Sequence, residues 1–445
     1  MFRGRIDTAA LLKSVLLLLA GLTSVGVFAQ SADNAPKDTY PYPIKDPFTA
    51  TVITTPEPLR YPLPALDDVP AKLRVVKVLD RKPPDNFWHM RGLSYTFISA
   101  GRRAAPLIFV IAGTGAGHDG SSTLTLARAF HKAGMHVITM SSPTYSNFIV
   151  SASSNGVPGL PDDDSVDLYR AMKAAYEREK KRIKVSDFYV TGYSLGGMHA
   201  AFVGYQDSKQ SYFNFKKILM INPPVNLFNS VQILDWLVTE VFPTREDFKV
   251  FYQDLMSEIT DVYTNNPRLK FNDEFLYALA ATYPPGQLEM KGLIGLAFRF
   301  SATNMIFSSD MVTRWGYLVP PDADIDRRTR IGIFQRTGNN KSSFTQYFRD
   351  YLLPYYSERN PGVTEEQLLF RASLQSIQEY LADAKHIAVI GNLDDIILAP
   401  GEVQYLQGLF GPERSTFFPR GGHLGNMPER IFMTNVVEYF QGPVR

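Results

Sequence analysis

Between Leu73 and Pro224 the chain alternates two rhythms. Short apolar, β-branched runs are followed by longer stretches in which apolar residues recur every three or four positions. Leu73–Leu79, Leu93–Ile98, Leu107–Ala112, His136–Met140, Asp187–Thr191 and Ile218–Ile221 read as strands. Leu124–Ala133 and the small-residue stretch around Gly197, Ala200 and Ala201 read as helices. Ser165 is a candidate cap for another, with Val166, Tyr169, Met172 and Tyr176 along one face. Strands alternating with helices imply right-handed crossovers, so the predicted class is α/β: a mostly parallel sheet flanked by helices.

The alternation stops after Pro224, and residues 225–384 read as helical. Thr244 opens a run with Phe248, Phe251, Tyr252, Leu255, Ile259 and Val262 on one stripe. Thr364 and Gln367 form a capping box ahead of Phe370, Leu374, Ile377 and Leu381. Strands return at His386–Ile390 and Ser415–Pro419, and a last helix runs from about Pro428 to Phe440. The predicted core therefore comes in two parts, 73–224 and 385–445. A helical insertion, 225–384, separates them and is large enough for a small core of its own.

Residues 30–72 carry nine prolines, from Pro36 to Pro70. Proline fixes φ and removes a backbone donor, so this segment is expected to be extended and free of helix. Tyr40, Tyr42, Phe48, Leu59 and Tyr61 give it apolar groups with which to lie on the core. Residues 1–29 have the layout of a secretory signal peptide. Arg3, Arg5 and Lys13 precede an apolar run from Ser14 to Phe28, and Val27-Phe28-Ala29 places small residues before a cut. The run is shorter than the roughly 20 residues of a spanning helix. Cleavage and export to a periplasm or the medium are expected, with no integral membrane span afterwards.

Composition narrows the chemistry. The 445 residues include no cysteine, which excludes a disulfide scaffold, thiolate catalysis, iron–sulfur clusters and cysteine-ligated zinc. The 46 Lys and Arg against 44 Asp and Glu leave a formal charge of +2, no footprint for nucleic acid. There is no H-E-x-x-H, and Asp162-Asp163-Asp164 reads as a helix entry rather than a ligand set. No metal and no cofactor are expected. Nothing in the sequence fixes the oligomeric state.

The strand at 187–191 runs into Gly192-Tyr193-Ser194-Leu195-Gly196, a G-x-S-x-G between a strand and a small-residue helix. A serine on so tight a turn points its hydroxyl out of the sheet, and flanking glycines avoid collisions with the turn and the helix. The arrangement resembles the nucleophile elbow of the α/β-hydrolase superfamily, whose members place nucleophile, acid and histidine in that chain order. By that resemblance the nucleophile is Ser194. The acid is Asp394, in Gly391-Asn392-Leu393-Asp394, with Asp395 the less favoured neighbour. The base is His423, in the glycine-flanked loop after the last strand. The resemblance also implies an oxyanion hole made by the backbone N–H groups of Leu195 and Thr114, the latter in Ala112-Gly113-Thr114-Gly115-Ala116-Gly117. That loop lacks the lysine of a phosphate-cradling loop and fits the dinucleotide fingerprint poorly, so nucleotide binding is not expected. His118 and Tyr193 are candidate substrate-binding residues.

The function these features imply is an exported serine hydrolase acting on a small-molecule carboxylic ester, lipid or other acyl ester, under a helical cap. Amidase or thioesterase chemistry would use the same triad. A non-catalytic binding protein that kept the fold is the reading from another class.

Overall fold

The computed structural model describes residues 40–244, 246–247, 287–329 and 343–442. The segment 1–29, expected to be a signal peptide, and the stripe from Phe248 to Val262 lie outside the described residues. From Tyr40 onward the chain forms one compact unit.

Eight strands build one sheet: β1 (Ala71–Val76), β2 (Leu93–Ile98), β3 (Ala104–Ile111), β4 (His136–Met140), β5 (Lys184–Tyr193), β6 (Lys217–Ile221), β7 (Ile387–Asn392) and β8 (Ser415–Phe418). Their spatial order is β1-β2-β4-β3-β5-β6-β7-β8. The β1–β2 and β2–β4 pairs are antiparallel and all the others are parallel. The order reverses at β3, which lies between β4 and β5. In such sheets ligands sit beyond the carboxyl ends of the strands, where the connections leave toward opposite faces.

The apolar runs are strands because the sheet is covered on both sides. Leu107, Phe109 and Ile111 of β3 enter one buried cluster, and Ile108, Val110 and Ala112 enter the other. Only the period-two geometry of a strand can send alternate residues to two cores in this way.

The insertion's longest described helices are Leu227–Val241 and Gln287–Thr313. Its apolar cluster includes Met305, Phe307, Phe344 and Tyr351, but also Ile149, Val150, Val157 and Leu160 from the first part of the α/β core. A polar clamp holds the same junction. Arg371 pairs with Asp162 at 2.7 Å and with Asp163 at 3.1 Å, and Tyr356 Oη donates to Asp163 at 2.7 Å. The acidic helix entry read from sequence is thus also the core's half of that clamp.

Three local expectations change. The proline-dense segment contains a helix, Pro47–Ile53, because Pro47 occupies the first helical turn, where a missing N–H costs nothing, and Asp46 caps it by accepting from Thr49 N at 2.7 Å. The helix assigned to a Ser165 cap begins at Pro161, and Ser165 Oγ donates to Asp162 O inside its first turn. The stripe from Phe370 to Leu381 is broken at Ser373. Its side chain caps a new 3₁₀ turn, Leu374–Ile377, while Phe370 stays exposed. The capping box of Thr364 and Gln367 forms at the start of Glu365–Arg371.

Candidate active site

Ser194 sits between β5 and the helix Leu195–Gln210 with φ 55° and ψ −130°. A non-glycine residue there carries roughly 1–3 kcal/mol of strain, tolerated only where the surroundings over-determine it. They do so here: Ser194 N donates to Ile221 O at 2.8 Å, and Ser194 O accepts from Gly197 N at 2.8 Å. The turn can close only over glycine. A Cβ on Gly192 would lie 2.1 Å from Gly196 O, and one on Gly196 would lie 2.2 Å from Ile111 O.

Ser194 Oγ is 2.9 Å from His423 Nε2, and His423 Nδ1 is 3.0 Å from Asp395 Oδ1. All three residues are buried. A hydroxyl, an imidazole and a carboxylate therefore form one hydrogen-bonded line above the carboxyl ends of β5, β7 and β8. Asp395 is further fixed by Asn222 Nδ2, which donates to Oδ2 at 2.8 Å, and by Ile397 N, which donates to Oδ1 at 3.2 Å.

This corrects the expected acid. Asp394 does not face the imidazole. Its carboxylate accepts from Gly421 N at 3.1 Å and from Gly422 N at 2.9 Å. The reason is a tight turn. β7 ends at Asn392, Leu393 N makes one last bond to Phe418 O of β8, and Asp395 N donates back to Asn392 O at 3.4 Å. Across that turn the two neighbouring side chains diverge, Asp394 under the histidine loop and Asp395 toward the ring. Burial raises the Asp394 carboxyl above its ordinary range, opposed in part by the Gly421 and Gly422 donors.

A serine on a strained strand-to-helix turn, at the reversal point of a sheet in this order, decides the fold. The chain has the α/β-hydrolase fold.

In this hydrolase fold the loop after β3 lies against the elbow. A Cβ on Gly113 would come within 3.2 Å of Ser194 Cβ. Thr114 and Leu195, the expected oxyanion residues, both line one small apolar cavity of about 50 Å³. Neither of their backbone N–H groups has a protein acceptor among the described residues. Leu227, Phe228, Val231, Met305 and Phe348 of the insertion form much of the remaining wall. Thr144, which the sequence reading passed over, also lines the cavity, and its Oγ1 accepts from Gly115 N at 2.8 Å, fixing the loop beside Thr114.

Two proposed substrate contacts go elsewhere. His118 is buried with Nδ1 2.8 Å from Thr96 Oγ1, and its own N–H and C=O are taken by Ser141 Oγ and Thr139 Oγ1. Tyr193 packs in the core behind the elbow, its hydroxyl 3.0 Å from Thr123 Oγ1. Neither lines the cavity. Tyr193 shares the face of β5 that carries Tyr189 into the core, and His118 is held in its loop by bonds to Thr96, Thr139 and Ser141.

Asn222 and Thr51 were also missed. Asn222 follows β6 with a positive φ of 44°, and only its reach to Asp395 marks it. Thr51 lies in the arm helix and accepts from His423 N at 2.9 Å. Among the described residues no group of three His, Asp or Glu could hold a metal, and no helix is long and apolar enough to cross a membrane.

No protein-family model matches the sequence, and no curated protein matches it significantly. Solved structures similar to the chain include an esterase of Pyrococcus furiosus, at TM-score 0.40 and 11% identity over 85% of this chain and 94% of that one. An acylaminoacyl peptidase of Pyrococcus horikoshii is similar at TM-score 0.41 and 13% identity, over 83% of this chain and 41% of that one. A bacterial membrane phospholipase A is similar at TM-score 0.40 and 15% identity, over 83% of this chain and 84% of that one.

Proposed function

We propose that the protein is an exported serine hydrolase that cleaves a carboxylic ester with an apolar acyl group. The observation that carries this reading is the line from Ser194 Oγ through the His423 ring to Asp395, at 2.9 and 3.0 Å. Those distances are within reach for proton transfer.

The chemistry follows from the geometry. His423 Nε2 takes the proton of Ser194 as its Oγ attacks the ester carbonyl. Asp395 accepts from Nδ1–H, which fixes the neutral tautomer with Nε2 unprotonated and stabilises the imidazolium that forms. The N–H groups of Leu195 and Thr114 receive the developing oxyanion, each worth about 10²–10³ in rate. His423 then protonates the departing alcohol. A water, deprotonated by His423 in turn, attacks the acyl-enzyme and releases the acid and free Ser194. The apolar cavity beside Thr114 and Leu195 supports an acyl chain, since it would remove the chain from water while the reacting carbonyl stays at the two amides. Export rests on the pattern of residues 1–29.

A fluorophosphonate probe tests the reading. It should label the native protein and not Ser194→Ala. Absence of labelling on folded wild type would instead support a binding protein on this fold. A panel of p-nitrophenyl esters should then show kcat/KM rising with acyl length while the chain fits the cavity. Strictly acetyl-ester activity would remove the apolar-pocket reading.

A further inference from the structure

His423 is the base of the proposed reaction, yet it stands in a loop of glycines. Gly421 has φ 152°, Gly422 φ 56° and Leu424 φ 68°. Such a segment has little rigidity of its own. Besides Asp394 and Asn392, what immobilises it comes from 372 residues away in sequence. His423 N donates to Thr51 Oγ1 at 2.9 Å, and the same hydroxyl donates to Pro47 O at 2.7 Å. Thr54 and Thr55 Oγ1 donate to Gly425 O at 3.1 and 2.9 Å. The contact is so close that a Cβ on Gly422 would stand 2.1 Å from Pro47 O, and one on Gly425 would stand 2.1 Å from Ala50 O. The opposite face of the arm helix meets the insertion and the acid loop, where Val52 shares a buried cluster with Leu293, Ile294 and Ile397.

From this arrangement we infer that the helix Pro47–Ile53 is a positioning element of the active site, and that Thr51 is the residue through which it holds His423. Thr51 bonds through its hydroxyl to the backbone, at His423 N and Pro47 O. It fixes the backbone from which the imidazole projects, and its hydroxyl is the acceptor that keeps the buried His423 N–H satisfied. A displacement of about 1 Å at a base can cost on the order of 100-fold in rate, so the loop needs such a clamp. The inference rests on the proposed hydrolase reading.

Thr51→Val keeps the shape of the side chain and removes the acceptor. Its kcat on a p-nitrophenyl ester should fall about 10- to 100-fold with KM within about twofold, because the acyl cavity is untouched. Thr51→Ser, which restores the hydroxyl, should recover most of the loss. The downfield proton resonance of His423 Nδ1–H against Asp395 should be sharp in wild type and Thr51→Ser and broadened in Thr51→Val. Thr51→Val with wild-type kcat and a sharp resonance would overturn the inference, and so would a Thr51→Ser protein as impaired as Thr51→Val. Should Thr51→Val not fold, Thr51→Ser against Thr51→Ala gives the same contrast. Ser194→Ala in parallel separates the two failures: hydrolysis that survives it defeats the hydrolase reading itself, whereas hydrolysis lost in Ser194→Ala but intact in Thr51→Val defeats only the clamp.

Discussion

The elbow and the histidine loop each hold one side chain still, and they do it by different means. The elbow is local. Ser194, Gly192 and Gly196 lie within five positions, and strain at φ 55° is trapped between a strand and the helix that follows it. The histidine loop is assembled from afar. Asp394 takes the N–H groups of Gly421 and Gly422, Thr51 takes that of His423, and Asn392 Nδ2 donates to Gly422 O at 2.8 Å. Asn392 and Asn426 exchange side-chain hydrogen bonds of 2.8 and 2.7 Å beneath it. A local device can be built by spacing alone. A distributed one depends on the whole fold, and each of its members contributes only part of the restraint.

The comparison breaks most sharply at the two neighbouring aspartates. Asp395→Asn keeps the shape beside His423 but favours the wrong ring tautomer, and kcat should drop about 10⁴-fold, or about 5.5 kcal/mol in the barrier. Asp394→Asn touches only the loop backbone and should cost about tenfold or less. Steady-state kinetics of both on one ester check this. Equal losses, or the larger loss at Asp394, would show that Asp395 is not the residue that supports the ring.

The same contrast explains what could be read from the sequence. All eight strands were legible, the central ones because burial on both faces demands continuous apolar runs such as Leu107–Ala112 and Ile218–Ile221, whereas the edge strand β1 is largely exposed. Ser194 was legible because its turn needs glycines at fixed offsets. The acid was misplaced by one residue, since nothing in Leu393-Asp394-Asp395 reveals that Leu393 still pairs with Phe418 across 25 positions of chain. The arm helix was hidden by its prolines, which signal breakage unless the first turn is recognised from Asp46-Pro47. His118 and Tyr193 looked functional by proximity in sequence, but the pleat of β5 turns Tyr193 into the core and hydrogen bonds to Thr96, Thr139 and Ser141 bury His118. Thr51 and Asn222 carry no motif. Their roles exist only once β6, β7 and the arm meet.

At the elbow the expected effect is on folding. Gly196→Ala would place a methyl 2.2 Å from Ile111 O and 2.6 Å from Ala112 O, both backbone atoms that cannot move without shifting β3. The loss should be at least about 3 kcal/mol in urea unfolding. A Gly196→Ala protein of wild-type stability would mean that the turn has slack, and the distinction between a rigid local elbow and a propped distant loop would lose its basis.

The smallest effect is the pH signature of Asp394. Its carboxyl is raised above the ordinary value chiefly by burial, with the Gly421 and Gly422 amides opposing. The folded protein therefore holds this proton to higher pH than the unfolded chain does. The group's contribution favours the folded state below the unfolded carboxyl pKa, about 3.9, and is lost as pH rises from there through the raised folded value. Asp394→Asn cannot titrate, so the stability of wild type relative to the variant should decline across that interval and be flat above it. Urea unfolding of both proteins at closely spaced pH values measures the difference, and all other groups cancel in it. A difference that grows with pH would mean that the two N–H donors outweigh burial. Asp394 would then be a tighter clamp on the histidine loop than its burial implies, and the distributed loop would depend on one residue much as the elbow depends on its glycines.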